Sequence, residues 1–269
     1  MTGPAPRSVE DPVRRLPRSD LPGWRRTLRY VVSRLLVGAG VRLAARLRVE
    51  GRDRLPTGAA IYCFNHLNWS DPFVLMAALP LRPRLYFFGP KEEDMAAGSR
   101  NRVMLWTGSA VPFKPGKNDL LETTRRVGAV IETGGVLAIA GEGRIHVHEA
   151  DLLPIQEGAA YFALRSGIPI VPIAINGTSW LAFRRTIHVR IGTPLAAAGR
   201  PNRESVDALT AATWAGLHLL LEAAPEQPEP GRFWRWLTEA FNDWPEGSRT
   251  AAALVRGPSG ILPDDARAE

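Results

Sequence analysis

Short apolar runs alternate with longer amphipathic stretches through the middle of the chain. This alternation is typical of α/β domains, in which helices separate buried strands. The apolar runs predict strands over Ala59–Phe64, Leu85–Phe88, Ser109–Phe113, Val136–Ala140, Ile170–Ile175 and Ile187–Ile191. Helical spacing of apolar positions predicts helices over Asp71–Leu79, Lys117–Thr133, Gln156–Ser166, Glu204–Ala223 and Phe233–Trp244. We therefore expect an α/β core.

A separate amphipathic helix is predicted ahead of this core. Its apolar face consists of Trp24, Leu28, Val31, Val32, Leu35 and Ala39. The face blurs after Gly38 and Gly40, where Arg42 and Arg46 enter the apolar stripe, so we expect a break there. Two interpretations stay open: the apolar face lies on an anionic membrane surface, or it packs on the core.

These patterns divide the chain into five parts. We expect a mobile basic arm over residues 1–23, a membrane-surface helix over 24–47 and the α/β core over 48–200. C-terminal helices over 201–246 and a loose tail over 247–269 complete the chain. In the C-terminal part, Phe233, Leu237, Phe241 and Trp244 share one face, which we expect to rest on the membrane beside the N-terminal helix.

The charge is concentrated at one end of the chain. The formal net charge is +7, while residues 1–54 alone hold 13 Arg against five acidic residues. A basic segment of this kind binds phosphate on lipid or on nucleic acid. Arginines interleaved with an aliphatic face, without a nucleic-acid-binding signature, favour lipid. No apolar stretch reaches the roughly 18–20 residues that cross a bilayer, so any membrane contact is expected to be interfacial.

One polar cluster directly follows a predicted strand. His66 comes two residues after Phe64, and Asp71 lies five residues further on at a predicted helix start. A carboxylate on one ring nitrogen of an imidazole leaves the other nitrogen free to accept a proton, which makes a general base. Asp71 followed by Pro72 is also the expected beginning of a helix, so a capping role for Asp71 stays open.

This cluster is the first of four short sequence blocks that follow one another along the chain. They are Asn65-His66-(four residues)-Asp71, Ala110-Val111-Pro112-Phe113-Lys114, Gly141-Glu142-Gly143-Arg144 and Ser166–Ile175. Together they resemble the motifs of the lysophospholipid and glycerolipid acyltransferase superfamily, whose first signature is NHxxxxD. The resemblance covers about residues 48–195. It implies a mixed sheet flanked by helices, with the catalytic crevice at the ends of the strands.

The resemblance also implies roles for particular residues. His66, oriented by Asp71, would deprotonate the acceptor hydroxyl, while Lys114 and Arg144 would hold the phosphate of the acceptor. Glu142 and Gly143 match the third block, and Glu142 would order the pocket through hydrogen bonds. The chain departs from the family pattern in four places: Gly141 replaces the usual Pro, the block reads EGR instead of EGTR, and Lys114 and Gln156 stand where Arg and Lys are common.

A second cluster raises the alternative of a metal site. His146, His148 and Glu149 form an HxHE pattern, but a four-ligand site needs further partners, and neither a cysteine nor a second histidine cluster is near in sequence. We predict no metal at this cluster. Cys63 is the single cysteine of the chain and lies in an apolar run, so we interpret it as a small buried side chain.

The resemblance implies an O-acyltransferase at the cytoplasmic face of the cell membrane, bound peripherally or monotopically. It would move a fatty acyl group from acyl-CoA or acyl-carrier protein to a lysophospholipid, with 1-acylglycerol-3-phosphate as the leading acceptor. The expected partners are these two substrates and an anionic membrane surface, without nucleic acid. No cofactor is expected because the thioester is already activated. The alternatives are a different lysolipid or alcohol acceptor, or a non-catalytic membrane-surface binding relative.

Overall fold

Seven strands form one sheet at the centre of the molecule. The computed structural model describes residues 23–91, 104, 106–113, 120–145, 149–222 and 228–242. The strands are β1 Ala45–Glu50, β2 Ala60–Phe64, β3 Leu85–Lys91, β4 Ala110–Phe113, β5 Val136–Ala140, β6 Ile170–Asn176 and β7 Arg185–Ile191. The helices are α1 Gly23–Ala44, α2 Asp71–Ala78, α3 Leu120–Glu132, α4 Gly158–Ser166, α5 Arg203–Leu221 and α6 Arg232–Asn242.

The sheet is mixed, as the resemblance implied. Its strand order is β1-β7-β6-β2-β5-β3-β4. Strands β6, β2, β5, β3 and β4 run parallel, whereas β7 is antiparallel to β6 and carries β1 parallel to itself at the edge. The carboxyl ends of the five parallel strands therefore meet at one edge of the sheet, which we call the carboxyl edge. The opposite end of the same strands is the amino edge.

Helices cover both faces of the sheet, and alternate residues of the central strand β2 pack against the helices on opposite faces. Tyr62 and Phe64 belong to the apolar core that includes α2. Ile61 and Cys63 point to the other face, into the core shared with α3, α4 and α5. All five residues of β2 are buried, as expected for a strand covered on both faces.

All six predicted strands are present, but the sequence prediction missed β1. The segment 45–47 was assigned to the N-terminal helix, which in fact ends at Ala44 and shows no break at Gly38 or Gly40. Residues Ala45–Glu50 instead alternate between inward and outward positions along β7. Arg46 disturbed the expected helical stripe because it lies on the outward side of this edge strand.

The core packs against the side of α1 that carries its polar and small residues. Tyr30, Ser33, Arg34 and Gly38 are buried, with Val37 and Val41 partly buried beside them. The opposite side exposes an apolar stripe, namely Trp24, Leu28, Val32, Leu35, Leu36 and Leu43. The face that the periodicity identified is therefore directed to solvent. We call these six residues the α1 stripe.

Within the described ranges, every helix is either too short or too polar to pass through a lipid bilayer.

Candidate active site

The loop that follows β2 brings His66 against Asp71, the first residue of α2. His66 Nδ1 lies 2.9 Å from Asp71 Oδ2. The same oxygen accepts the backbone N–H of Leu67 at 2.7 Å and that of Asn68 at 2.9 Å. Asp71 is fully buried, while 18% of the His66 side chain stays exposed. An acceptor at Nδ1 favours the neutral tautomer in which Nε2 is free to take a proton.

The capping alternative for Asp71 is not what the structure shows. Ser70 occupies the N-cap position of α2, and Asp71 is already inside the helix. Its carboxylate instead accepts hydrogen bonds from residues 66–68, which precede the helix. Asp71 therefore fixes the loop around His66 rather than the first turn of α2.

Glu142 lies directly behind His66. Glu142 Oε2 accepts the backbone N–H of His66 at 2.8 Å, and Oε1 accepts the backbone N–H of Leu153 at 3.0 Å. The residue is only 3% exposed. Its two oxygens thus tie the end of β2 to the segment that leads into α4, and they fix the backbone position of the imidazole.

Gly143 and Arg144 continue the turn after β5. Gly143 has a φ of +70°, a conformation that favours glycine, and its amide donates to Ala140 O at 3.1 Å. Arg144 is partly exposed. In the part of the chain that the structure describes, the Arg144 guanidinium has neither a carboxylate nor a hydrogen-bond partner.

Two further buried side chains hold the loops at the carboxyl edge. Asn65 Nδ2 donates to Ile175 O at 2.9 Å, and Ile175 N donates to Asn65 Oδ1 at 2.7 Å, so Asn65 joins β2 to β6. Glu149 is fully buried and accepts the backbone N–H of Gly177 and both the N–H and the hydroxyl of Ser179. Glu149 therefore joins the segment after β5 to the loop after β6, a role that the HxHE pattern did not suggest.

Helix α6 packs on residues 65–70, the loop that carries His66 and that we call the catalytic loop. Asn242 Oδ1 accepts the backbone N–H of Trp69 at 2.9 Å, and the rings of Phe241 and Trp69 lie 5.3 Å apart in a T-shaped contact. Thr238 Oγ1 accepts the backbone N–H of Leu181 at 2.9 Å. Sequence reasoning missed Thr238 and Asn242 because no local pattern relates Asn242 to a loop 173 positions earlier. It expected Phe241 to rest on the membrane, whereas the ring packs on Trp69.

The described part of the chain does not include Lys114, His146, His148 or Trp244. Residues 1–22 of the predicted arm and the predicted tail over 247–269 also lie outside it. Among the described residues, no three His, Cys, Asp or Glu side chains are grouped as a metal site would require. Gln156 follows the turn and donates its backbone N–H to Gly141 O at 2.7 Å.

Two comparisons with known proteins bear on the domain family and on the fold. Residues 46–176 match the family model described as Acyltransferase. The fold is similar to the crystal structure of the 1-acyl-sn-glycerophosphate (LPA) acyltransferase, PlsC, from Thermotoga maritima, with a TM-score of 0.57 and 18% identity. That similarity covers 74% of this chain and 81% of that chain. The family match therefore identifies residues 46–176 as an acyltransferase domain.

One departure from the superfamily pattern has a local explanation. Gly141 N donates to Phe64 O at 2.8 Å, a hydrogen bond that proline cannot make. A Cβ at Gly141 would also lie 2.9 Å from Cys63 Sγ and 3.0 Å from Ile155 Cγ2. Gly141 therefore lets the strand end pack more tightly against β2 than a proline would.

The buried thiol beside the site is not suited to nucleophilic chemistry. Burial, with the nearby Glu142 charge acting in the same direction, raises the pKa of Cys63 to about 12. The thiolate, which is the reactive form, is therefore scarce at neutral pH. This matches the interpretation of Cys63 as a small buried side chain.

Proposed function

We propose that this acyltransferase moves a fatty acyl group from a thioester, acyl-CoA or acyl-carrier protein, to the free hydroxyl of a lysophospholipid. The leading acceptor is 1-acylglycerol-3-phosphate. The observation that carries the proposal is the 2.9 Å contact between His66 Nδ1 and the buried, triply hydrogen-bonded Asp71 Oδ2. The similarity to PlsC supports the choice of acceptor.

In the proposed reaction, His66 is the general base and Asp71 stabilises the imidazolium. Nε2 of His66 takes the proton of the acceptor hydroxyl as its oxygen attacks the thioester carbonyl carbon. The tetrahedral intermediate collapses with cleavage of the carbon–sulfur bond, and the imidazolium returns the proton to the leaving thiolate. Transfer is direct, and no metal or prosthetic group takes part because the thioester already has a good leaving group.

The acceptor phosphate would be held on the Arg144 side of the crevice. Arg144 has no carboxylate partner within the described residues, and a guanidinium suits the planar recognition of phosphate oxygens. We assign Lys114 to the same phosphate because of its position in the second sequence block. Glu142 and Gly143 shape the turn between Arg144 and His66.

Membrane contact is assigned to the α1 stripe and to α6, at the cytoplasmic face of the cell membrane. The α1 stripe exposes six large apolar side chains, and α6 exposes Phe233 and Trp236 at 61% each. Amphipathic helices with such faces lie in the headgroup region, and nearby arginines add attraction to anionic lipid. Peripheral binding would bring the crevice to its lipid acceptor.

The direct test measures thiol release from palmitoyl-CoA on liposomes, with and without lysophosphatidic acid. We expect acceptor-dependent release, and a fall of about a hundredfold or more for His66→Ala, because general-base catalysis contributes about 10²–10⁴-fold. Release that survives the substitution would overturn the role of His66. Acceptor-independent release in the native protein would point to thioester hydrolysis instead.

The membrane assignment has its own test. We expect neutralisation of Arg25, Arg26 and Arg29 to weaken vesicle binding, since each basic residue contributes about 1 kcal/mol near an anionic surface. Turnover of a detergent-soluble acceptor should stay nearly unchanged. Equal loss of both activities would show that this segment supports the catalytic fold rather than the membrane contact.

A further inference from the structure

A cavity lies at the amino edge, at the far end of the sheet from His66. Its volume is about 1070 Å³. Its walls come from α1, the segment before β2, the end of α2 and the residues that precede β3 and β5. The cavity is separated from the catalytic loop by the length of α2, which is about 12 Å for eight residues at 1.5 Å each.

The cavity is lined by cations without counter-charges. Arg42, Arg52, Arg82 and Arg84 line it, and no acidic residue lines it in the part of the chain that the structure describes. Arg34 adjoins it, because its guanidinium donates to the carbonyls of two lining residues, Leu79 and Pro80. Within the described ranges none of these five arginines forms an ion pair. We call these five residues the arginine cluster.

Part of the arginine cluster serves to cap the C-terminal end of α2. Three of its members donate to carbonyls at the C-terminal end of α2, namely Arg34 to Leu79 O and Pro80 O, Arg42 to Ala77 O and Arg52 to Ala78 O. A helix C-terminus carries only about half a negative charge, which cannot balance five guanidinium groups. Arg82 has no such carbonyl contact, and Arg84 donates to Gly108 O elsewhere.

Donors remain unused in the cluster. Arg34 is only 3% exposed, yet its Nε and Nη1 have no hydrogen-bond partner among the described residues, and the same holds for the buried Nε of Arg84. Burial lowers the pKa of Arg34, and the charge of Arg42 acts in the same direction. A buried donor without an acceptor costs free energy, so the protein itself does not fully satisfy the arginine cluster.

From these observations we propose that the arginine cluster binds the phosphate group of an anionic lipid. Guanidinium groups match phosphate oxygens in pairs, and the cavity is large enough for a headgroup. The lipid source is favoured by α1, because Thr27, Tyr30 and Val31 line the cavity while the α1 stripe is exposed on the same helix. The assignment to a lipid rests on the proposed membrane contact of α1. Because a helix is about 10 Å wide, α1 lying at the interface would bring the cavity beside it to the depth of the lipid headgroups.

The test measures binding of a water-soluble, short-chain phosphatidic acid by isothermal titration calorimetry, without vesicles. The double variant Arg52→Gln/Arg82→Gln removes two cations that are themselves exposed, and Arg200→Gln is the matched control at an exposed arginine outside the cavity. Arg144→Gln tests binding at the active site separately. Short-chain phosphatidylcholine and inorganic phosphate are the comparison ligands.

We expect the double variant to weaken phosphatidic acid binding about tenfold or more, with Arg200→Gln unchanged and thermal unfolding of all variants close to native. Part of the binding should persist in Arg144→Gln. Binding lost in Arg144→Gln but kept in the double variant would overturn the amino-edge site without touching the proposed reaction. Inorganic phosphate binding as tightly as the lipid, or phosphatidylcholine binding equally well, would overturn the lipid headgroup as its ligand.

Discussion

The charged side chains at the two edges of the sheet differ in sign and in how they are paired. At the carboxyl edge, the carboxylates of Asp71, Glu142 and Glu149 are buried and each accepts backbone amides. At the amino edge, the arginine cluster has no carboxylate within the described residues. Helix α2 joins the two, with Asp71 in its first turn and three capping arginines at its last. We propose that the carboxyl edge holds the catalytic geometry fixed, whereas the amino edge leaves charge available for a ligand.

The largest effect is expected from Asp71→Asn. Asparagine can place its oxygen where Oδ2 lies and accept the same three donors, so the substitution removes mainly the charge that stabilises the imidazolium. We expect kcat to fall by about a hundredfold or more. Comparable thermal unfolding of both proteins would show that the loss is chemical. Activity within a few-fold of native would contradict the pairing.

A smaller loss is expected from Glu142→Gln. The NH2 group of glutamine cannot accept a hydrogen bond, so either His66 N or Leu153 N loses its acceptor. An unsatisfied buried donor costs about 1–3 kcal/mol, and we expect about a tenfold loss in kcat together with a lower Tm. Unchanged kcat at a lower Tm would limit Glu142 to a structural role.

Helix α6 is expected to influence the catalytic loop through the hydrogen bond between Asn242 and Trp69. Asn242→Ala leaves the Trp69 N–H without its acceptor, which is worth about 1 kcal/mol, and we expect kcat to fall about threefold to fivefold. Asn242→Asp keeps an acceptor oxygen and should restore most of the rate. Equal losses in the two variants would exclude this hydrogen bond as the cause.

The smallest effect is expected from Cys63→Ala. Because the pKa of the thiol is raised to about 12, Cys63 should resist iodoacetamide at neutral pH in the folded protein and react once it is denatured. Activity of the variant should stay within about twofold of native, since the transfer needs no covalent intermediate. A large loss with an intact fold would indicate that the thiol takes part in the reaction.

Local patterns predicted the six core strands and the pairing of His66 with Asp71. Buried strands such as Val136–Ala140 are short apolar runs with clear ends, so their positions follow from sequence. The His66 to Asp71 pairing followed because the two residues flank a single loop at the start of a helix. Both features depend only on neighbours along the chain.

The features that were missed depend on distant parts of the chain. Edge strand β1 pairs with β7, more than a hundred positions later, and its exposed arginines hid its alternation. The orientation of α1 was open because its inward side buries Tyr30, Ser33 and Arg34 instead of an apolar stripe. Of these three, Arg34 donates to Leu79 O at the end of α2. The Asn242 contact and the arginine cluster likewise exist only after folding.

The most direct test of the account is a double-variant cycle on acceptor-dependent thiol release. It compares His66→Ala, Asp71→Asn and the protein that carries both substitutions. If Asp71 acts through the imidazole, the double variant should be about as slow as His66→Ala alone, because residues that act as a unit give non-additive losses. If the two losses multiply, Asp71 contributes independently of His66, and the proposed general-base pair is contradicted.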